Sequence, residues 1–268
     1  MNERLAGGKL LLDSPAEAVV RLRISNPERR NALDHEILDA IAETLPRLDQ
    51  GIETRCLLIT GAPPVFSAGY DIAAIPTETF ERDAEALVAH PFHAAMEAIA
   101  SHPWPTVAAL NGHCIGGGLE LAITCDLRIA TAEAKLGMPP VKLGLVYGHT
   151  GLRKFLDTIG LARTKELFLT GRNFEAARAA EIGLVHEVVP DAQLEETAVA
   201  LAAEIAANAP LSMRGNKSAI DLLTASPVLS PQQEAGLIAL RESCFASEDL
   251  REGVEAFAEK RKPEWKGR

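Results

Sequence analysis

A chain of 268 residues, 47% hydrophobic and 24% charged, is long enough to bury a core without disulfide or metal staples. Its 37 acidic residues outnumber 27 basic ones, and a net charge of −10 argues against a surface built to neutralise nucleic-acid phosphates. Cys56, Cys114, Cys125 and Cys244 form no CxxC pair, the N-terminus is too polar for a secretory segment, and no apolar run reaches the ~18 residues of a membrane span. The expectation is a cytoplasmic protein with reduced, mostly packed thiols and no membrane or nucleic-acid partner.

Along the chain, Val20, Leu22 and Ile24 alternate with Arg21 and Arg23, which predicts a strand over 17–25 with one solvated face. Ile37, Ile41, Leu45 and Leu48 recur at helical spacing between a candidate N-cap, Asp34, and a candidate stop, Gly51. An apolar strand over 55–60 follows, so the first sixty residues read β, α, β with a crossover suited to parallel pairing. The pattern then repeats as a helix over 80–103, a buried strand over 106–112, a short helix over 118–126 and a strand over 127–130. Beyond about residue 150 only 184–189 reads as a strand, while helix-period apolar residues occupy 194–210, 212–223 and 231–265. The division expected is an α/β core over 1–200 and a helical region over 201–268, able to cover a site or build subunit contacts.

Two loops that follow strands carry glycine in suggestive places: "VFSAGYDI" (65–72) and "CIGGGLELA" (114–122). Glycines directly before an apolar helix leave backbone N–H groups bare at its N-terminus, where the dipole favours negative charge. A tight turn that needs glycine only for its backbone angles is the alternative. Gly112, Gly116, Gly117 and Gly118 do not spell GxGxxG, and Ser67 is no nucleophile elbow because Val65 stands where GxSxG requires glycine. His90 and His93 share "HPFH" without a nearby acid, so no metal site is expected.

Taken together, "NPERRNAL" (26–33), "VFSAGYDI" (65–72), "NGHCIGGGLELAITCDLRIA" (111–130), "LTGRNFEAARAAEIGLVHEVVP" (169–190) and "EGVEAFAEKRKPEW" (252–265) resemble the enoyl-CoA hydratase/isomerase, or crotonase, superfamily, in order and across nearly the whole chain. The resemblance implies an α/β spiral of ββα-type turns with a C-terminal helical trimerisation region, assembled as a homotrimer or dimer of trimers. It also implies an acyl-CoA thioester substrate, with CoA entering as part of that substrate and no permanently bound cofactor. Carried onto this chain, the oxyanion-hole donors are the N–H groups of Tyr70 and Gly117. A fixed pair of donors suits an enolate because the charge they hold develops in the transition state.

Hydratases of this superfamily hold water between two glutamates. Glu120 takes the first position, but the second falls at Pro140 in "GMPPVKLG", and proline can neither give nor take a proton. Glu120 is then a candidate acid or base, or else a carboxylate that serves the helix dipole. Seven residues on, Tyr147 offers a phenol, and "PPVKLGLVYG", "FSAGYDIAAIP" and the C-terminal tail look most like the methylmalonyl-CoA decarboxylase branch, in which a tyrosine matches Tyr147. That branch often has histidine where this chain has Tyr70. Decarboxylation of a methylmalonyl-type CoA is therefore the expected reaction. The alternatives are a hydratase or isomerase using Glu120, a silent acyl-CoA-binding protein, and, for Tyr147 alone, a packed aromatic residue. For the CoA end the resemblance implies Arg29, Arg30, Ala68, Phe257 and Lys260, with a solvated surface charge as the alternative for each cation. Ala73 stands where the family often places another basic residue.

Overall fold

The computed structural model describes residues 2–48, 51–71, 88–144, 146–225 and 230–268. Short runs of β-branched and aliphatic residues build one seven-stranded sheet in the order β1 (Asn2–Leu5), β2 (Leu10–Ala16), β3 (Val19–Ile24), β4 (Cys56–Gly61), β5 (Thr106–Leu110), β7 (Leu127–Thr131) and β10 (Glu187–Val189). From β3 through β10 the neighbours are parallel, and β1 and β2 extend the sheet as an antiparallel edge. A second sheet orders β6 (Cys114–Ile115), β8 (Lys135–Gly137) and β9 (Asn173–Glu175).

The period-2 rule divides the core. Val20, Leu22, Ile24, Leu57, Ile59, Ala108, Leu110 and Ala130 point into one apolar cluster, which helices α1 (His35–Leu48), α2 (His93–Ala100), α3 (Gly117–Thr124), α4 (His149–Thr170) and α5 (Ala176–Glu181) complete. Their neighbours Val19, Cys56, Leu58, Val107, Ala109 and Ile129 face the opposite cluster, covered by α6 (Leu194–Ala206) through Leu194, Ala198, Ala202 and Ala206. Alanine on every fourth residue of α6 lets the helix approach the sheet closely.

Both faces of β3 are therefore covered, contrary to the one-sided strand that its alternating arginines predicted. Arg21, 9% exposed, is held by Asp13 at 2.6 Å and by Glu195 of α6. A paired guanidinium satisfies the requirement that alternation alone assigns to water.

Other expectations are corrected in detail. The helix predicted over 80–103 falls partly outside the described residues; from Val88 to Phe92 it is a π-turn around Pro91, which leads into α2. The strand predicted over 184–189 contracts to β10, because Leu184 and Val185 turn into the core. Nor is β10 alone beyond residue 150, since β9, which the sequence did not suggest, pairs antiparallel with β8. The division at residue 200 cuts through α6, so the core runs on to Ala206. The helical region then comprises α7 (Pro210–Ala225), α8 (Pro231–Ala246) and α9 (Glu248–Glu259). The helix-period stretch 231–265 is divided at Ser247, whose Oγ accepts the Leu250 N–H as an N-cap. The tail folds back, with Trp265 Nε1 donating to the Ala207 carbonyl at 2.7 Å. Lys217 Nζ ties α7 to the core through Asp126 at 2.5 Å.

Candidate active site

The loop of residues 26–33 carries the first support. Asn31 is fully buried, and its side chain accepts the Asn26 N–H at 2.9 Å while donating to the Ala62 and Val65 carbonyls at 2.7 Å each. Ser67, also fully buried, donates its hydroxyl to the Asn31 carbonyl at 2.8 Å. Two loops distant in sequence are thus fixed to each other by buried polar side chains, which cost little only because every contact is made.

That brace aims a peptide group. Leu33 and Tyr70 form an isolated parallel bridge, with the Leu33 N–H donating to the Gly69 carbonyl at 2.7 Å and the Asp71 N–H donating to Leu33 at 3.0 Å. In such a bridge the flanking peptide groups face the partner, so the N–H of Tyr70 itself faces the other way. From the opposite side, Ser67 bridges Cys114, and the Ile115 N–H donates to the Ser67 carbonyl at 3.0 Å. This sets the start of α3 beside the loop. A Cβ on Gly117 would lie 2.8 Å from Tyr70 Cε1, so only glycine allows this approach without displacing the ring. Among the described residues, neither the Tyr70 N–H nor the Gly117 N–H has an acceptor within the chain. Two residues with bare backbone N–H groups thus stand against each other.

Glu120 lies in the first turn of α3, 5% exposed. Tyr147 donates to its Oε2 at 2.5 Å, and the Tyr147 hydroxyl lies 3.2 Å from that of Tyr70. Aromatic rings hold this chain of oxygens in place: Phe92 meets the Tyr70 ring edge-on at 4.6 Å, and Phe168 packs on the Tyr147 ring at 5.5 Å. Burial raises the Glu120 carboxyl above the ordinary carboxylate value, against the lowering effect of the Tyr147 bond and the charges of Lys154 and His93. Burial also raises both phenols, with the charge of Glu120 adding to it. Pro140, itself buried, begins an otherwise exposed 3-10 turn, Pro140–Leu143, and no second carboxylate bonds to Glu120 or Tyr147 among the described residues.

The structure brings Tyr70, Gly117, Glu120 and Tyr147 together, and Ala68 joins Arg30, whose carbonyl accepts the Ala68 N–H at 3.0 Å. Arg29, Arg30 and Ala68 are exposed on one lip of this site, and neither arginine forms an ion pair among the described residues. Lys260 is exposed at the end of α9, with no bond to that lip. The Phe257 side chain lies outside the described residues. Sequence reasoning missed the supports Asn31 and Ser67, and Gly151, where a Cβ would lie 2.7 Å from Glu120 Oε2. Of these, only the asparagine and serine carry a visible signal, as polar residues set in otherwise apolar or loop segments that end up fully buried.

A buried acid bonded to a phenol, beside two bare backbone donors, in an α/β fold is a constellation of the kind enzymes use. A model of the enoyl-CoA hydratase/isomerase family matches residues 15–268. The Mycobacterium tuberculosis protein named probable enoyl-CoA hydratase echA8 is 36% identical over 91% of this chain and 93% of its own. Mouse enoyl-CoA hydratase domain-containing protein 2, mitochondrial, is 35% identical over 96% of this chain and 87% of its own. Enoyl-CoA hydratase from Bacillus anthracis superposes with a TM-score of 0.88 at 32% identity, covering 97% of this chain and 100% of that one. The chain belongs to the enoyl-CoA hydratase/isomerase family, and is an enzyme of the crotonase fold that acts on acyl-CoA.

Proposed function

We propose that this enzyme decarboxylates a malonyl-type CoA thioester such as methylmalonyl-CoA. The observation that carries the reading is the phenol of Tyr147 bonded to the buried Glu120, with no second carboxylate bonded to either among the described residues. In this reading the thioester oxygen accepts from the N–H groups of Tyr70 and Gly117. The bond between the α-carbon and the carboxylate breaks, its electron pair moves into the enolate, and CO2 leaves. The developing oxyanion then meets donors already in position, which stabilise the transition state more than the substrate.

Counting hydroxyl protons refines the roles. With Glu120 ionised, the one proton of Tyr147 is given to Glu120 and that of Tyr70 to Tyr147, so neither faces a substrate anion. With Glu120 neutral, the carboxyl donates to Tyr147, which releases its own proton to hold a substrate carboxylate. Burial favours that neutral form. After CO2 departs, Glu120 is the acid at hand to return a proton to the α-carbon, and its carboxylate then takes a proton from solvent. Arg29, Arg30 and Ala68 would meet the CoA moiety, with Lys260 and Phe257 reaching it across a subunit contact. We extend the proposal to a trimer on the exposure of Leu143, Val146, Leu161, Leu169, Ile220 and Val254.

Turnover in D2O tests the reaction: methylmalonyl-CoA should yield CO2 and propionyl-CoA carrying one deuterium at the α-carbon. Unchanged methylmalonyl-CoA beside rapid hydration of crotonyl-CoA would overturn it. The second reading, hydration or isomerisation with Glu120 handling the proton, is favoured by the hydratase names of relatives at 35–36% identity.

A further inference from the structure

Tyr70 supplies both a candidate carbonyl donor, its N–H, and a bulky ring beside the other candidate donor, Gly117. Its ring is pinned on three sides: flat against Gly117, edge-on to Phe92 at 4.6 Å, and by its hydroxyl 3.2 Å from that of Tyr147. Swinging it aside forfeits all three contacts, so the ring is a fixed wall and not a movable lid. Because the amide nitrogen and the side chain are bonded to the same Cα, a carbonyl held by that N–H lies close to this wall. The ring spans from Gly117 to the Tyr147 hydroxyl, so in the proposed reading an acyl group directed from the donors toward the Tyr147–Glu120 pair runs along it.

We propose that the Tyr70 ring is the specificity determinant of the acyl subsite, closing the space beyond the α-carbon and confining the substrate to thioesters with a short acyl group. The inference rests on the reading of Tyr70 and Gly117 as the carbonyl donors, but not on which reaction follows. The hydroxyl serves Tyr147; the ring sets size. A tyrosine ring occupies the volume of several methylenes, and a single methylene in a closed pocket changes discrimination by about 10-fold or more.

The test is titration calorimetry of the full chain with unreactive saturated thioesters, propionyl-CoA and octanoyl-CoA. The wild type should bind octanoyl-CoA no more tightly than propionyl-CoA. In Tyr70→Ala the octanoyl-to-propionyl affinity ratio should rise by at least about tenfold, and in Tyr70→Phe, which keeps the ring, it should stay at the wild-type value. A ratio in Tyr70→Ala within about twofold of wild type, or a wild type that already prefers the long chain about tenfold, would overturn the proposal. Should Tyr70→Ala lose its folded circular dichroism, Tyr70→Leu carries the same comparison. A selective ratio without CO2 release counts against decarboxylation alone, and CO2 release with an unselective ratio counts against the role of Tyr70 alone.

Discussion

Replacing Tyr147 with phenylalanine removes one oxygen atom, and with it the 2.5 Å bond to Glu120 and the 3.2 Å contact with Tyr70. The ring stays, and its packing on Phe168 with it. A bond to a charged group contributes about 1.5–3 kcal/mol and a neutral one about 0.5–1.5 kcal/mol, so the loss should be about 2–4.5 kcal/mol with Glu120 ionised and about 1–3 kcal/mol with it neutral. At about 2–4 °C per kcal/mol for a chain of this size, the melting temperature should fall by at least about 4 °C at alkaline pH. The pH dependence has a definite sign. Burial lifts the Glu120 carboxyl above its unfolded value, and the Tyr147 bond holds it down, so the variant lifts it further. A carboxyl raised in the folded state binds more protons folded than unfolded, so stability falls as pH rises from the ordinary carboxylate value through the folded one. Deleting the bond deepens that fall. Thermal melts of both proteins across pH should therefore show a gap that widens from acid to alkaline conditions. A gap that is constant, or that narrows as pH rises, would refute the assignment of Tyr147 as the donor to a buried, raised Glu120.

Glu120→Gln keeps the size of the side chain but cannot return a proton, and should slow turnover by about 10²–10⁴-fold in steady-state assays, with a smaller effect on KM. In Gly151→Ala the new Cβ would lie 2.7 Å from Glu120 Oε2, displacing the carboxyl from Tyr147; kcat should drop at least about tenfold while the affinity for free CoA holds, measured by calorimetry. Lys217→Met removes the 2.5 Å partner of Asp126, which keeps its bonds from the Thr106 N–H and hydroxyl. Because Asp126 is a third exposed, the cost in chemical denaturation should be about 1–2 kcal/mol, below that of a fully buried pair.

The α/β alternation and most sheet strands were legible because their apolar residues alternate or run together, and those patterns persist in the folded clusters. β6, β8 and β9, at two or three residues each, are defined by their partners rather than by their own sequence. The arginines of β3 misled for a physical reason: a guanidinium satisfied by Asp13 and Glu195 looks in sequence like one satisfied by water. Gly117, Glu120 and Tyr147 stood out by motif and position, but the contact between the last two was hidden, because they are 27 residues apart and meet only through the turn at Pro140 and the start of α4. Gly151 left no trace at all. Its role is to be absent, leaving room for a carboxyl that comes from another helix.

Offering the purified protein methylmalonyl-CoA and crotonyl-CoA in parallel, and following CO2 release and hydration with wild type, Tyr147→Phe and Glu120→Ala, tests the central claim most directly. The account predicts CO2 release that Tyr147→Phe suppresses, with hydration slow or absent. Hydration at enzyme-like rates, abolished by Glu120→Ala and indifferent to Tyr147→Phe, would contradict it.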